Sequence, residues 1–235
     1  MNAISPIGIV GGGRVATHFS RYLADLGLPY RRWSRREGGS LAHALEGCRV
    51  AALLIRDDAI EAFAREHREE LSGHRLVHFS GSVVCEGIES AHWLASFGEV
   101  PFPLSAYERI PFVVEKGRTR FADLFPGLPN PVFEIPAEGK PLYHALCVLS
   151  GNFTALLWRK AFVELEARFG LPREALVPYL ESVMAGLAAD PGRALTGPLA
   201  RGDQGTIRAN LSALASAGDS YEEVYRAMVR AEGHA

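Results

Sequence analysis

The chain has 235 residues, enough for two modest domains or one large one. With 48% hydrophobic residues, 22% charged residues and a formal net charge of −2, it lacks the broad positive field that a nucleic-acid or membrane surface would require. Cys48, Cys85 and Cys147 are widely spaced, no CxxC pair occurs, no basic leader opens the chain, and no apolar run approaches the roughly 20 residues of a membrane span. A cytoplasmic protein without a metal site is expected.

Taken in order, the first half alternates short apolar runs with helical patterns, the mark of βαβ units in a mainly parallel sheet. Ile7–Val10 reads as the first buried strand. Val15, Ala16, Phe19, Tyr22, Leu23 and Leu26 then recur at helical spacing up to Gly27. Further strands are expected at Tyr30–Ser34, Val50–Ile55, Leu76–Phe79, Pro111–Glu115 and Val132–Ile135, with a helix over Ala59–Leu71 opened by Asp57 and Asp58.

Past Pro141 the strand signal stops. Leu142–Phe169 reads as one long helix ended by Gly170 and Pro172. Its middle, Ala145–Trp158, is apolar nearly all round, which predicts burial on several sides and a second subunit covering part of it. Helices over Arg173–Ala188, Gln204–Ala217 and Tyr221–Ala231 follow, the last with a capping box of Ser220 and Glu223. The expected organisation is an α/β domain over residues 1–137 and an all-helical domain over 138–235 that forms a homodimer.

Gly11-x-Gly13-x-x-Ala16 sits between a predicted strand and a predicted helix, the context a dinucleotide loop needs. Gly11 allows the tight turn, Gly13 lets backbone approach a pyrophosphate, and Ala16 keeps helix and strand close. Arg14 and Val15 complete the loop, and the helix N-terminus offers free N–H groups to the phosphate. A glycine-rich turn without a ligand, or a methyltransferase loop for an adenosyl cofactor, has the same outline. The second strand separates them. It ends in Ser34-Arg35-Arg36 with no acid before Glu37, whereas an NAD or adenosyl site places an acid there. A hydroxyl beside guanidinium groups suits a 2′-phosphate, so NADP (as NADPH) is the expected cofactor.

Several segments together carry a resemblance. They are Gly11–Ala16, Ser34-Arg35, Ile55-Arg56-Asp57-Asp58-Ala59-Ile60, His78-Phe79-Ser80-Gly81, His92–Phe97, Tyr143-His144-Ala145, Gly151-Asn152-Phe153 and Thr196–Asp203. Over nearly its whole length the chain resembles the Rossmann-like NADP oxidoreductases whose C-terminal helical domain has no known function. Those proteins are distant relatives of pyrroline-carboxylate reductase and the deazaflavin-dependent NADP oxidoreductases. The resemblance implies a Rossmann domain, a helical dimerisation domain and NADP binding, with Ile55, Arg56, Asp57 and Ser80 joining the cofactor site. Two departures stand out: Trp93 replaces the proline usual after the histidine, and Arg56 replaces the proline usual before the acidic pair.

Ligands in such folds bind at strand C-termini, so Ser80 and Gly81 are candidates for the nicotinamide end, and His78 reads as a core histidine. His92 and Ser96, placed in a loop after the sheet edge, are candidate substrate contacts. His144 and Asn152, eight residues apart on the long helix, are candidate catalytic residues, His144 as proton donor. No lysine stands one turn before Asn152, which removes a lysine acid for ketone reduction and leaves imine reduction open, or a non-catalytic NADP-binding dimer. In the loop Thr196–Asp203, Arg201 could clamp a carboxylate, Asp203 caps the next helix, and Thr206 lies in its first turn.

Overall fold

The computed structural model describes residues 4–217 and 221–233, so the Ser220 capping box lies outside the described residues. The chain divides into two compact units, Met1–Thr154 and Ala155–Ala235. The sequence boundary at residue 137 falls earlier, because the helix that follows it is anchored by Lys140 to the sheet of the first unit.

The described residues of that unit hold seven strands, β1 (Ile7–Val10), β2 (Tyr30–Trp33), β3 (Val50–Leu53), β4 (Arg75–His78), β5 (Glu89–Trp93), β6 (Phe112–Glu115) and β7 (Val132–Ile135), in the order β2-β1-β3-β4-β5-β6-β7. All neighbours are parallel except β5 and β6. β1, β3 and β6 are buried along their length, as continuous apolar runs in a covered parallel sheet should be. On one face, helix α1 (Arg14–Asp25) lays Phe19, Tyr22 and Leu23 into an aromatic cluster with Trp93, Tyr107 and Phe112; on the other, Leu45, Ile60, Phe63 and Leu71 pack together. Short helices occupy Leu41–Ala44 (α2), Ile60–Glu66 (α3), Leu104–Arg109 (α4) and Phe121–Leu124 (α5). The helix expected over Ala59–Leu71 is therefore shorter, and a 3₁₀ turn at Asp57–Ala59 leads into it.

β5 corrects the sequence reading, which placed His92 in a loop. The segment Glu89-Ser90-Ala91-His92-Trp93 is a strand whose Ala91 and Trp93 enter the core while Ser90 and His92 point to the opposite face. It is short and half polar, so the apolar-run criterion passes over it. The antiparallel pairing with β6 needs no intervening crossover helix of full length.

The long helix is interrupted in character. Lys140–Cys147 (α6) is α-helical, Val148–Phe153 is a π-helical section, and Thr154–Phe169 (α7) is α-helical again, with Gly170 at φ +67° ending it. Ser150 Oγ donates to the Leu146 carbonyl at 2.9 Å, drawing on the backbone inside the widened turn. The expected burial of its middle is absent in the single chain: Leu146, Leu149 and Phe153 are exposed.

The second unit is helical, with α7, α8 (Arg173–Ala189), α9 (Gly197–Arg201), α10 (Gln204–Ser216) and α11 (Tyr221–Ala231). α9 stands where a loop was expected, with Pro198 in its first turn and left-handed Gly202 at its end. Asp203 then caps α10, its carboxylate accepting from the Thr206 N–H at 3.0 Å and the Thr206 hydroxyl at 2.7 Å. Among the described residues of this unit, the buried hydrophobic side chains are Leu176, Ile207 and Val229, while Val163, Phe169, Tyr179, Leu187 and Leu195 are exposed. No helix among the described residues is long and apolar enough to cross a membrane.

Candidate active site

A parallel sheet opens a crevice where its strand order reverses, outside the strand C-termini. Here that point lies between β1 and β3, and it carries a cleft of about 650 Å³ lined by the glycine loop, Ser34-Arg35-Arg36, Ile55, Arg56, Asp57, Phe63 and Ser80. Every cofactor candidate of the sequence reading except Ala16 lines it. Ala16 is fully buried behind the loop, where it lets α1 approach the sheet.

The glycines divide their work. Gly11 adopts φ +147°, and a Cβ on it would lie 2.2 Å from the Leu54 carbonyl oxygen, so it serves the crossing of β1 and β3. Gly13 is exposed, and a Cβ there would meet no atom within 4 Å. It caps α1 with no side-chain hydrogen bond, so the first helical N–H groups face an open cradle. Arg32 Nε braces the loop from behind by donating to the Gly11 carbonyl at 3.1 Å.

At the far end of β2, Ser34 is buried and its hydroxyl donates to Glu37 at 2.8 Å, so the acid beyond the motif folds back onto the serine. Arg35 pairs with Glu66 at 3.5 Å and lies over the Phe63 ring, 5.7 Å from its centroid. The Arg35–Glu66 pair is solvent-exposed and therefore weak, whereas the Phe63 ring beneath the guanidinium is buried.

The opposite end is built around Ser80. Its hydroxyl donates to Asp57 at 2.6 Å and accepts from the Val83 N–H at 3.1 Å. One residue on, Gly81 is buried beneath two imidazoles: a Cβ would come 2.6 Å from His144 Cδ2 and 3.2 Å from the His92 ring. His92 and His144 stand edge to face with centroids 6.0 Å apart, and the Tyr143 hydroxyl lies 2.7 Å from His92 Nδ1. The structure thus brings His92 and His144 together next to Ser80. Asn152 is exposed in the π-helical section, and Ser96 is exposed in the turn after β5. Arg201, Asp203 and Thr206 cluster within the helical unit, where Asp203 is engaged in capping and Arg201 is exposed.

What fixes α6 against the sheet is a buried charge. Lys140 Nζ donates to Glu115 at 3.0 Å, to the Ser90 hydroxyl and to the Val83 carbonyl, and Arg118 holds the other Glu115 oxygen at 3.0 Å. Side chains of Lys140 and Glu115 are 3% and 1% exposed, and burial lowers the lysine pKa while Glu115 opposes that shift. Lys140 belongs to no motif in the sequence. Neither it nor Tyr143 carried a role there, since an ion pair 25 residues apart has no local signature.

Burial pushes His92 down to about 4, and His144 and Lys140 add to the shift by repelling a proton. His78 is fully buried in β4. Its Nδ1 accepts from the Ser80 N–H, its Nε2 has no partner, and burial followed by Lys140 lowers it to about 4. An unfolded chain binds this proton below about pH 6.5 while the folded chain refuses it until about 4. Stability is therefore fully present above pH 6.5 and lost as pH falls toward 4, by on the order of 3 kcal/mol for His78 alone. Urea midpoints measured across that window should fall with pH in the wild type and fall less in His78→Asn.

The fold and cleft together define a Rossmann-type α/β protein with its crevice at the switch point of the sheet. A family model described as a domain of unknown function (DUF2520) matches residues 110–232, more than half the chain, and the protein belongs to that family. No curated protein matches the sequence. Among solved structures, a Bacteroides fragilis protein assigned as an NADP oxidoreductase is 23% identical over 97% of both chains with a TM-score of 0.78. A Thermotoga maritima protein is 22% identical over 96% of this chain and 97% of its own, with a TM-score of 0.67. An imine reductase from Myxococcus stipitatus, in complex with NADP+, is 11% identical over 97% of this chain and 92% of its own, with a TM-score of 0.66. These likenesses establish the fold across the whole chain.

Proposed function

We propose that the protein is an NADP-dependent oxidoreductase that acts on a small imine or carbonyl substrate bearing a carboxylate. One observation carries the reading: a single cleft runs from a basic strand end, past an open glycine cradle, to Ser80, and the next residue, Gly81, packs against the rings of His92 and His144. The open space at Gly13 and the uncapped start of α1 fit a pyrophosphate. Ser34, Arg35 and Arg36 would hold a 2′-phosphate, which takes the place of Glu37 on the serine and of Glu66 on Arg35. When bound, the nicotinamide supplies the hydride chemistry, and Asp57, Ser80 and Gly81 mark its end of the cleft. His144 is the assigned proton donor, and His92 the neighbouring substrate contact. The NADP-bound imine reductase of the same fold supports an imine as the reacting group.

The absence of a lysine one turn before Asn152, where Val148 stands, favours as second reading an NADP-binding regulatory homodimer without turnover. NADPH oxidation should be followed with small cyclic imines, and with 2-oxo acids in the presence of ammonia. Turnover with any of them, lost in His144→Gln, supports the reductase; tight NADPH binding with none favours the regulatory dimer.

Both readings include a homodimer formed through the helical domain. A unit whose described residues bury Leu176, Ile207 and Val229 but expose many more hydrophobic side chains leaves apolar faces suited to a second copy. Light scattering should give a mass near twice the 25.6 kDa of the chain, and a monomer at micromolar concentration would contradict the assignment.

A further inference from the structure

β5 and α6 are in register. Along a strand, residues two apart share a face and are about 6.7 Å apart; along a helix, three or four residues rise about 4.5–6 Å. Ser90 and His92 are such a strand pair, and Lys140 with Tyr143 and His144 is such a helix set. Lys140 grips Ser90, so one helical turn later Tyr143 arrives at His92. Gly81 packs against the His92 ring, where a Cβ would come within 3.2 Å of Cδ2 and Cε1.

The Tyr143 hydroxyl, 2.7 Å from His92 Nδ1, can meet it in two ways. Either the phenol donates and the imidazole carries its proton on Nε2, or Nδ1–H donates and Nε2 is bare. Tyr143 is half-buried, and burial together with Cys147 pushes its pKa up, which keeps the phenol protonated. The charged groups around His92 are His144, Lys140 and Asp57; the first two oppose a proton on it and Asp57 favours one. Neither arrangement sets proton against proton, but a phenol is a stronger donor than a neutral imidazole N–H and an imidazole nitrogen a better acceptor than a phenolic oxygen, which favours the phenolic proton at Nδ1. We propose that Tyr143 is a positioning residue that locks His92 as its Nε2–H tautomer, so that His92 meets a ligand as a neutral hydrogen-bond donor suited to a carbonyl or carboxylate oxygen. The division of labour follows: His92 orients an oxygen of the substrate without gaining charge, and His144 beside it is left to move the proton. This assignment deepens the oxidoreductase reading and rests on it for the identity of the ligand.

The tautomer itself is measurable without cofactor or substrate. Long-range nitrogen–proton NMR of the full chain labelled in histidine, with the His92 signals identified by their loss in His92→Gln, reads the protonated nitrogen directly. The expected result is a neutral Nε2–H ring at His92 that does not titrate between pH 5.5 and 8. In Tyr143→Phe the lock is lost, and the His92 nitrogen shifts move toward a mixture of tautomers. A wild-type His92 that is protonated at pH 7, or carries its proton on Nδ1, overturns the proposal, as does a Tyr143→Phe protein with unchanged His92 shifts. A parallel NADPH titration of the wild type separates the two levels. The tautomer result stands or falls whether or not NADPH binds, whereas failure to bind NADPH removes only the oxidoreductase reading.

Discussion

Replacing Gly13 by alanine should abolish most NADPH binding while leaving the protein as stable as before, and replacing Gly11 should damage both. At Gly13 the backbone is extended, with φ −81° and ψ −178°, and a Cβ meets nothing within 4 Å. Alanine is conformationally welcome there, so the stability change should stay within about 1 kcal/mol. The methyl group would project into the space assigned to the pyrophosphate, and affinity should fall about a hundredfold or more. At Gly11 the added Cβ would lie 2.2 Å from the Leu54 carbonyl oxygen, a backbone atom that cannot move without parting β1 from β3, and φ +147° is itself strained for alanine. A loss of about 3 kcal/mol or more is expected, seen as a lower urea midpoint. Equal NADPH affinity in wild type and Gly13→Ala would place the ligand of this cleft elsewhere.

Lys140→Met should be the most damaging single change away from the loop. The lysine is buried with Glu115, Ser90 and the Val83 carbonyl, and methionine keeps its bulk while removing every donor. Breaking one side of a buried pair costs roughly 3–5 kcal/mol because the other charge is left without compensation. Arg118 still holds one oxygen of Glu115, so the lower end of that range, about 3 kcal/mol, is expected. Adding Glu115→Leu should recover part of the loss, since a well-packed apolar pair replaces an ion pair at little cost. A double-mutant cycle on urea midpoints reads this coupling. The same substitution frees the start of α6, so the contact between His92 and Tyr143 should loosen with it. If Lys140→Met is neutral, the buried cluster does not anchor the helix.

The parts of the fold written in contiguous residues were legible in the sequence. β1, β3, β6 and β7 are mainly apolar or β-branched runs, and the glycine loop between β1 and α1 announces itself by spacing. β5 was not, because its signal is a two-residue alternation over five residues, three of them polar. The cofactor end of the cleft could be assembled from motifs, since each lies at a strand end and the sheet order brings strand ends together. The contacts around His92 could not, since Gly81, His92, Tyr143 and Lys140 come from three separated segments and meet only through the register of β5 with α6. Tyr143 stood in a recognised motif beside His144, but nothing local says which neighbour of a histidine on a helix turns toward the sheet. Glu37 was read as lying beyond the site, and a turn at residues 35–37 returns it to Ser34.

The central claim is that the basic end of β2 selects NADP. Binding of NADPH and NADH, measured separately by fluorescence titration in wild type and Arg35→Ala, tests it most directly. NADPH should bind at least about tenfold more tightly than NADH to the wild type, and the substitution should erode that preference with little effect on NADH, as loss of a charge-assisted contact to a phosphate requires. Equal binding of the two cofactors in the wild type, or a preference that survives Arg35→Ala unchanged, would contradict it.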